Sequence, residues 1–227
     1  MPTGLQIIGD HTIAQIDENF RNLQFKAKGT FTLGTTSIAS RPLYANSVTV
    51  TADSYPMMAI RSTAKVGFMG FQQSGSSWTF SYAGDTASAS VEYFHFDTPP
   101  IGETANYLEV IDAAGARVFN ALSKPMKVLG SLGPAISTIS YTSGRKYAGV
   151  QSGTGWSFQE QSPEGGRAQF FRSWMVGQRW PANHQVVIHG VNYSTGLQVD
   201  LGNEGSVDIT RDAWVPVKVL IVDVTGY

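Results

Sequence analysis

The sequence predicts an all-β fold composed of two related antiparallel β-sandwich-like modules. Three observations support this prediction. Apolar and polar residues alternate in several short segments, turn residues separate those segments, and parts of the sequence recur along the chain. Charged residues make up only 15% of the 227 residues. Long solvated helices normally carry many Glu and Lys side chains, so this low share of charge also favours strands joined by tight turns.

The alternating segments define the predicted strands. Successive side chains of a strand point to opposite faces, so apolar residues two positions apart can share one buried face. The clearest segments are residues 23–28, 30–33, 48–51, 78–82 and 217–221. Gly, Pro, Asn and Asp mark the predicted turns between strands. These turn signals are Gly34, Ser74-Gly75, Gly84-Asp85, Pro99-Pro100, Gly165-Gly166 and Gly202-Asn203.

A gapless internal repeat relates the two predicted modules. Residues 5–25 recur 103 positions later as residues 108–128. Considered by itself, the first copy could form a helix, because it has apolar residues at helical spacing and Asp10 could cap the helix. The second copy has Pro125 where the first has Asn22, and proline inside a helix costs about 3 kcal/mol. Both copies are therefore predicted as three strands linked by two turns. The predicted hairpin tips are residues 9–11 and 112–115.

A second repeat centres on tryptophan. Residues 73–80 (QSGSSWTF) match residues 151–158 (QSGTGWSF) at five of eight positions. A glycine turn followed by Trp and Phe two positions apart is typical of a hairpin arm with two aromatic rings on one face. Trp78 and Trp156 are therefore expected in the core.

The repeats divide the chain into two predicted modules, residues 1–103 and residues 104–227. A break near residues 99–103 separates them. A third, shorter LQ segment at residues 196–199 follows the second tryptophan segment. The spacings between matching elements differ, so the arrangement is a degenerate duplication and not a strict solenoid.

Composition and charge exclude several classes of function. The net charge is −1 and no run of Lys or Arg occurs, so the electrostatic footprint of nucleic-acid or anionic-lipid binding is missing. The chain contains no cysteine, which excludes disulfides and thiolate metal sites. The first residues do not resemble a secretory signal. The longest apolar stretch, near residues 215–222, is too short to span a bilayer, so no membrane insertion is expected.

The residues that carry chemistry form no recognisable catalytic motif. The G-x-S-x-G elbow of serine hydrolases is absent. A glycosidase needs two carboxyl groups about 5–9 Å apart, but the acidic residues are scattered. Glu160 and Glu164 lie in a glycine-rich segment and are interpreted as solvated. We therefore expect neither enzyme activity nor a cofactor.

The four histidines do not predict a metal site. His184 and His189 lie five residues apart without a third ligand at a known spacing, whereas a zinc site needs three or four converging ligands. His95 is predicted on a strand, on the same face as Tyr93. These histidines are interpreted as hydrogen-bonded or surface residues.

Aromatic and arginine residues cluster in the second half of the chain and form the candidate binding surface. Trp, Tyr and Arg are enriched at protein interfaces, and aromatic rings also stack on the apolar faces of sugars. The alternative is that aromatic residues such as Phe170 fill the core while the arginines are solvated. The sequence leaves both interpretations open. The candidate receptor or subunit contacts are Arg167, Phe171, Arg172, Trp174, Arg179, Trp180, His184 and Tyr193.

Several short motifs occur together in the first 115 residues. They are the GLQII segment at residues 4–8, Gln15-Ile16-Asp17, Phe20-Arg21-Asn22-Leu23, Tyr93-Phe94-His95-Phe96-Asp97-Thr98-Pro99-Pro100, Leu108-Glu109-Val110 and Asp112-Ala113-Ala114-Gly115. In this order they resemble small tail proteins of long-tailed bacteriophages, a group described as minor tail, tail fibre or tail tip proteins. The similarity extends over about residues 4–130, whereas residues 134–192 depart from the family pattern.

The resemblance implies a structural, non-enzymatic virion protein at the distal end of the tail. It also implies a homotrimer, contacts with other tail proteins, and binding to a protein or glycan of the host surface. Residues 1–103 are the candidate tail-docking module, and residues 104–227 are the candidate receptor-facing module. Such a protein would be made in the cytoplasm of the bacterial host. Two alternatives remain, a lectin-like carbohydrate-binding module that acts alone and a tailspike enzyme that depolymerises polysaccharide.

Overall fold

The structure is a computed structural model. It describes residues 4–8, 13–17, 23–38, 41–98, 108–115, 117–120, 122–133, 138–153, 156–161, 168–195, 199–200, 210–211 and 218–227. These residues form strands, turns and bends without a helix, and every described strand pair is antiparallel. The predicted all-β class is confirmed. Within the described ranges, no helix has the length and hydropathy needed to cross a membrane.

The strands follow the alternating apolar segments of the sequence. In the first half they are β1 (Gly4–Ile8), β2 (Ile13–Asp17), β3 (Gln24–Thr32), β4 (Gly34–Ile38), β5 (Arg41–Thr51), β6 (Met57–Arg61), β7 (Val66–Ser74), β8 (Ser77–Gly84) and β9 (Ser90–Asp97). In the second half they are β10 (Glu109–Ile111), β11 (Arg117–Asn120), β12 (Lys127–Leu132), β13 (Thr138–Ser140), β14 (Tyr147–Gln151), β15 (Trp156–Gln161), β16 (Ala168–Ala182), β17 (Gln185–Thr195), β18 (Val199–Asp200), β19 (Thr210–Arg211) and β20 (Val219–Asp223).

These strands form two hairpins and two larger sheets. β1 pairs with β2, and β10 pairs with β11. A six-stranded sheet has the order β12-β20-β14-β6-β9-β3. A ten-stranded sheet follows the path β13-β17-β16-β7-β8-β5-β4, and β15, β18 and β19 attach beside β16.

The 103-residue repeat is visible in the strand pairing. In each copy a two-stranded hairpin, β1–β2 or β10–β11, precedes a third strand, β3 or β12, as predicted. The tip of the second hairpin is a tight turn in which the Gly115 amide donates to the Asp112 carbonyl at 3.0 Å. Gly115 has a φ of +81°, which only glycine adopts readily. The other predicted tip, at residues 9–11, lies outside the described residues.

The two copies of the third strand also share their register. Gln24 pairs with Asp97, and its equivalent Lys127 pairs with Asp223. Both strands then have a β-bulge at equivalent positions, around Lys26 and Leu129 respectively. Asp97 and Asp223 therefore occupy equivalent places in the two copies. The sheet order has the same symmetry, because the half β3-β9-β6 corresponds to the half β12-β20-β14.

The six-stranded sheet closes on itself where its two outer strands begin. Gln24 forms an isolated antiparallel bridge with Pro125. The flanking hydrogen bonds run from the Phe25 amide to the Lys124 carbonyl, at 2.8 Å, and from the Met126 amide to the Leu23 carbonyl, at 2.7 Å. Pro125 has no amide hydrogen, but neither of these two bonds requires one from it.

Three clusters of buried side chains hold the sheets together. The inner cluster lies on one face of the six-stranded sheet and consists mainly of Ala59, Phe94, Phe96, Ala148, Val150, Val222 and Val224. Two outer clusters lie between the opposite face and the ten-stranded sheet. The first includes Ile60, Phe68, Trp78, Phe80, Tyr82 and Val91, and the second includes Tyr147, Trp180, Val186, Val219 and Ile221.

The two sequence halves share one core. The six-stranded sheet takes β3, β6 and β9 from residues 1–103 and β12, β14 and β20 from residues 104–227. Arg61 of the first half donates to the Asn183 side chain of the second half at 2.8 Å. The duplicated units therefore interlock through a common sheet, and the predicted break at residues 99–103 lies outside the described residues.

The tryptophan repeat has the same local turn contact but different strand partners in its two copies. The Gln73 side chain donates to the Gly75 carbonyl at 3.1 Å, and the Gln151 side chain donates to the Gly153 carbonyl at 2.9 Å. The first copy joins β7 and β8 as a hairpin, as predicted. In the second copy β14 pairs with β6 and β20 whereas β15 pairs with β16 and β19, so the described pairing is not a hairpin. Trp78 is buried, as expected, and the Trp156 side chain lies outside the described part.

Candidate functional site

Trp180, one of the predicted contact residues, is a core residue. Its side chain is fully buried in the second outer cluster, and its indole nitrogen donates to Gln178 Oε1 at 3.1 Å. Its backbone amide donates to the Ser62 carbonyl at 2.7 Å. The prediction of a receptor or subunit contact is therefore corrected for this side chain, because apolar packing and a satisfied indole leave nothing at the surface.

The other predicted contact residues are described only in part. Arg179 is half-buried on β16, and His184 is half-buried in the turn between β16 and β17. Phe171, Arg172 and Trp174 lie on β16 and Tyr193 lies on β17, but their side chains are outside the described part of the structure. Arg167 is outside it altogether. The contact role of these residues stays a prediction.

A polar cavity of about 440 Å³ lies beside β9, between β3 and the end of β5. Its volume is within the range of about 300–1,000 Å³ that is usual for small-molecule sites. Three polar residues of β9 line it together, because residues two apart on a strand point to the same face. The polar lining residues are Lys26, Thr49, Thr51, Asp53, Tyr93, His95, Asp97 and Thr98.

His95 and Asp97 are the buried polar groups of this cavity, and each is only 5% exposed. Nε2 of His95 has no hydrogen-bond partner among the described residues. Burial lowers the pKa of His95, the Asp97 carboxylate raises it, and Lys26 lowers it, so that the pKa lies below its usual value. The imidazole is therefore neutral at pH 7 and can donate or accept a hydrogen bond.

Asp97 uses one of its two oxygens to hold the cavity wall. Its Oδ1 accepts a hydrogen bond from the Ser54 hydroxyl at 2.8 Å and another from the Thr98 amide at 2.7 Å. No described residue donates to its Oδ2. Because Ser54 donates to the carboxylate and not to His95, this arrangement lacks the serine–imidazole bond of a serine nucleophile. Across the described ranges, no group of three His, Asp or Glu side chains is placed to hold a metal ion.

Tyr93 has a position fixed by a glycine on the neighbouring strand. Gly29 pairs directly with Tyr93, and a β-carbon on Gly29 would lie 2.8 Å from the tyrosine ring. The ring can therefore lie against the backbone of β3 only because residue 29 is glycine. This contact places an aromatic ring at the wall of the polar cavity.

A second concave region is lined by residues of β6, β7 and β8 and is mainly apolar. It has a volume of about 460 Å³ and is lined by three methionines, two phenylalanines of β7, and Tyr55 and Tyr82. Tyr55 and Phe71 remain 50% and 43% exposed, and each packs against the buried Trp78. We call Tyr55, Phe71 and Trp78 the aromatic end. Large exposed aromatic rings of this kind are typical of interaction surfaces.

No protein-family model, curated protein or solved structure matches this chain.

Sequence reasoning placed two residues of the polar cavity on one strand face without predicting a site there, and of the aromatic end it singled out only Trp78, as a core residue. The period of two placed Tyr93 and His95 on one strand face, which the structure confirms, and the same period includes Asp97. Lys26 gave no signal because it is the extra residue of a β-bulge. Tyr55 lies between β5 and β6, where no periodicity applies, so only the structure relates it to Phe71.

Proposed function

We propose that the chain is a structural and adhesive subunit of a bacteriophage tail, located in a tail fibre or at the tail tip. The proposal is supported by the ordered motifs of residues 4–130, which resemble small phage tail proteins, and by the antiparallel all-β fold, in which most of the described motif residues lie in strands or in a tight turn. The chain then has other tail proteins as partners and a protein or glycan of the host surface as its target.

The observation that carries the assembly part of the proposal is the aromatic end. Tyr55 and Phe71 leave large apolar surfaces in contact with water, which a solitary chain gains nothing by exposing. The low share of charged residues, 15%, leaves few like charges to oppose close contact between copies. We propose that sister copies of this chain cover the aromatic end in a homotrimer.

Light scattering on the purified chain tests the assembly. The expected mass is three times that of the 24.5 kDa chain. Phe71→Ser removes an exposed ring of the aromatic end and is expected to shift the mass towards the monomer. Leu122→Ser is the matched control, because Leu122 is 61% exposed but lies elsewhere, and its mass should not change. A wild-type chain that stays monomeric at micromolar concentration argues against the trimer.

Immunogold labelling of intact particles tests the location. Antibodies against the purified chain are expected to label the distal end of the tail. Several copies on one particle raise the effective affinity for a surface, so the purified trimer should also compete with particles for adsorption to host cells. Gold on the capsid alone, or on no part of the particle, would refute the tail assignment.

The lectin-like alternative differs in assembly. It requires that the monomer binds a glycan and that the chain has no place in the virion. The polar cavity supports this alternative, because its polar side chains can form hydrogen bonds with the hydroxyl groups of a glycan. The tailspike alternative requires release of reducing sugar from host polysaccharide, with activity lost in Glu160→Ala, Glu164→Ala or His184→Ala.

A further inference from the structure

We propose that the polar cavity beside β9 binds a single sugar ring, held by hydrogen bonds to His95 Nε2 and Asp97 Oδ2. This inference rests on the proposed function, because it names the chemical class that an adhesive tail subunit recognises on the cell surface. The site differs from the aromatic end, which is assigned to contact between copies.

His95 Nε2 is a buried atom that needs a partner which no described residue supplies, and Asp97 Oδ2 can accept a further hydrogen bond. His95 and Asp97 are both 95% buried, and burial of a polar group without a hydrogen bond is costly. Nε2 of His95 is without a partner, and Asp97 accepts its described hydrogen bonds only through Oδ1. Unsatisfied buried polar atoms are rare in folded proteins and call for an explanation, which a bound ligand provides.

The internal repeat provides a comparison within the same molecule. Asp223 is the equivalent of Asp97, and its Oδ2 accepts a hydrogen bond from Arg145 at 2.7 Å. The equivalent of His95 is Ile221, which is fully buried in the second outer cluster. In this copy of the duplicated unit, the position equivalent to His95 is therefore apolar, and the carboxylate equivalent to Asp97 has a hydrogen-bond donor on each oxygen.

The other copy has polar groups at the same place. Lys26 replaces Leu129 at the bulge, His95 replaces Ile221, and Asp97 lacks an equivalent of the Arg145 contact. Since Ile221 shows that the scaffold accommodates an apolar residue there, the fold does not require the polar set. We attribute the difference between the two copies to ligand binding in the copy with His95.

A sugar ring fits the chemistry and the size of the cavity. Residues two apart on a strand have Cα atoms about 7 Å apart, so His95 and Asp97 can reach different hydroxyls of one ring. A carboxylate oxygen accepts from a hydroxyl, and a neutral imidazole either donates or accepts. The Tyr93 ring offers an apolar face to the CH groups of a sugar.

Saturation-transfer NMR on the full chain tests the inference. The probes are the methyl glycosides of glucose, galactose, mannose, glucosamine and N-acetylglucosamine, with glycerol as a polyol without a ring. The expected result is transfer to one or more glycosides and none to glycerol. No transfer to any glycoside, or equal transfer to glycerol, overturns the inference.

Three variants locate the binding. Asp97→Asn keeps an oxygen for Ser54 and Thr98 but turns the open acceptor into a donor, and His95→Ile copies the residue of the equivalent place. Each is expected to weaken binding at least about tenfold. Lys26→Leu, at an exposed position, provides a third test that does not disturb buried groups. Unchanged affinity in all three variants overturns the assignment of the site.

The controls separate this inference from the proposed function. Asp85→Asn removes an exposed carboxylate that pairs with Lys65 away from the cavity, and it should bind as the wild type does. Gold labelling at the tail without glycoside binding refutes the sugar site alone. Glycoside binding at His95 by a chain that is missing from the particle refutes the tail assignment alone.

Discussion

The amide of Met126 donates a hydrogen bond to the carbonyl of Leu23 over 2.7 Å, and the two residues are equivalent positions of the 103-residue repeat. Equivalent residues can face each other only on a local two-fold axis. On the other side of the six-stranded sheet, Gly149 pairs with Ile60, which sets the neighbouring residues Ala59 and Val150 opposite each other in the inner cluster. The two copies therefore enclose a common core about one axis.

Tyr227 stabilises the closure of the six-stranded sheet, where residues 23–25 contact residues 124–126. Its hydroxyl donates to the Pro125 carbonyl, and its ring stacks on Phe25 at 5.0 Å. Burial, together with nearby Asp223, raises the pKa of Tyr227 to about 12, so the hydroxyl keeps its proton at neutral pH. We expect Tyr227→Phe to lower the free energy of unfolding by about 1 kcal/mol. Tyr227→Ala should lower it by about 2–4 kcal/mol.

Urea denaturation followed by tryptophan fluorescence measures both changes. Tyr44→Phe is the control, since Tyr44 packs beside the first outer cluster, away from the closure. Equal stability of Tyr227→Ala and the wild type would show that the closure contributes nothing.

Gly149 leaves room for a buried glutamine. A β-carbon at Gly149 would lie 2.0 Å from Gln178 Oε1 and 2.7 Å from the Val219 side chain. Gln178 also donates to the Gly149 carbonyl at 2.9 Å. Gly149→Ala should therefore displace Gln178 and cost about 1–3 kcal/mol of stability. Gly133→Ala, with nothing within 4 Å of its β-carbon, should be nearly neutral in the same denaturation assay.

Asp223 should make the fold sensitive to acid. Burial raises the pKa of Asp223, but hydrogen bonds from Thr225 and Arg145 lower it by more, so its pKa is below the usual value. The carboxylate therefore stabilises the fold above its unfolded pKa of about 3.9, and this contribution is lost as the pH falls further. Asp223→Asn should cost about 1–3 kcal/mol at pH 7 and lose less stability on acidification.

Denaturant midpoints at pH 7 and pH 3 give this comparison. Asp85→Asn is the control, because that carboxylate is exposed, and exposed contacts such as its 3.4 Å ion pair with Lys65 and its hydrogen bond from the Thr86 hydroxyl contribute little to stability. An acid response of Asp223→Asn as steep as that of the wild type would contradict the assignment.

His95 should destabilise the fold at mildly acidic pH. Because its pKa is lowered in the folded chain, the unfolded chain binds the proton first, below pH of about 6.5. Stability therefore falls as the pH drops from about 6.5 to the folded pKa. His95→Ile should remove this fall and should equal or exceed the wild type in stability at pH 7. Thermal midpoints at pH 7.5 and 5.5 measure the effect, and a fall as large in the variant would refute it.

Local sequence patterns predicted where the strands lie better than they predicted which strands pair with each other. Alternation at Val48 and Val50 or at Trp78, Phe80 and Tyr82 reflects one buried face, which is a property of neighbouring residues. The repeat also predicted both hairpins. The second tryptophan segment has nearly the same letters as the first but joins two different sheets, since pairing depends on distant strands such as β20 and β16.

The candidate sites show the same limit. Trp180 belongs to an aromatic and arginine segment that suggested a surface, but β16 turns this side chain into the core. Asp97 and Ser54 are 43 residues apart, and only the folded chain shows that one oxygen of the carboxylate is taken and the other is open. Spacing in the sequence carries no information on such long-range contacts.

The unequal copies of the repeat have an evolutionary consequence. Both halves supply strands to the six-stranded sheet, but only the half with Ile221 and the Arg145–Asp223 pair has an apolar residue and a paired carboxylate at these equivalent positions. An exposed position such as Lys26 can therefore change with less effect on the fold than a buried position such as Ile221.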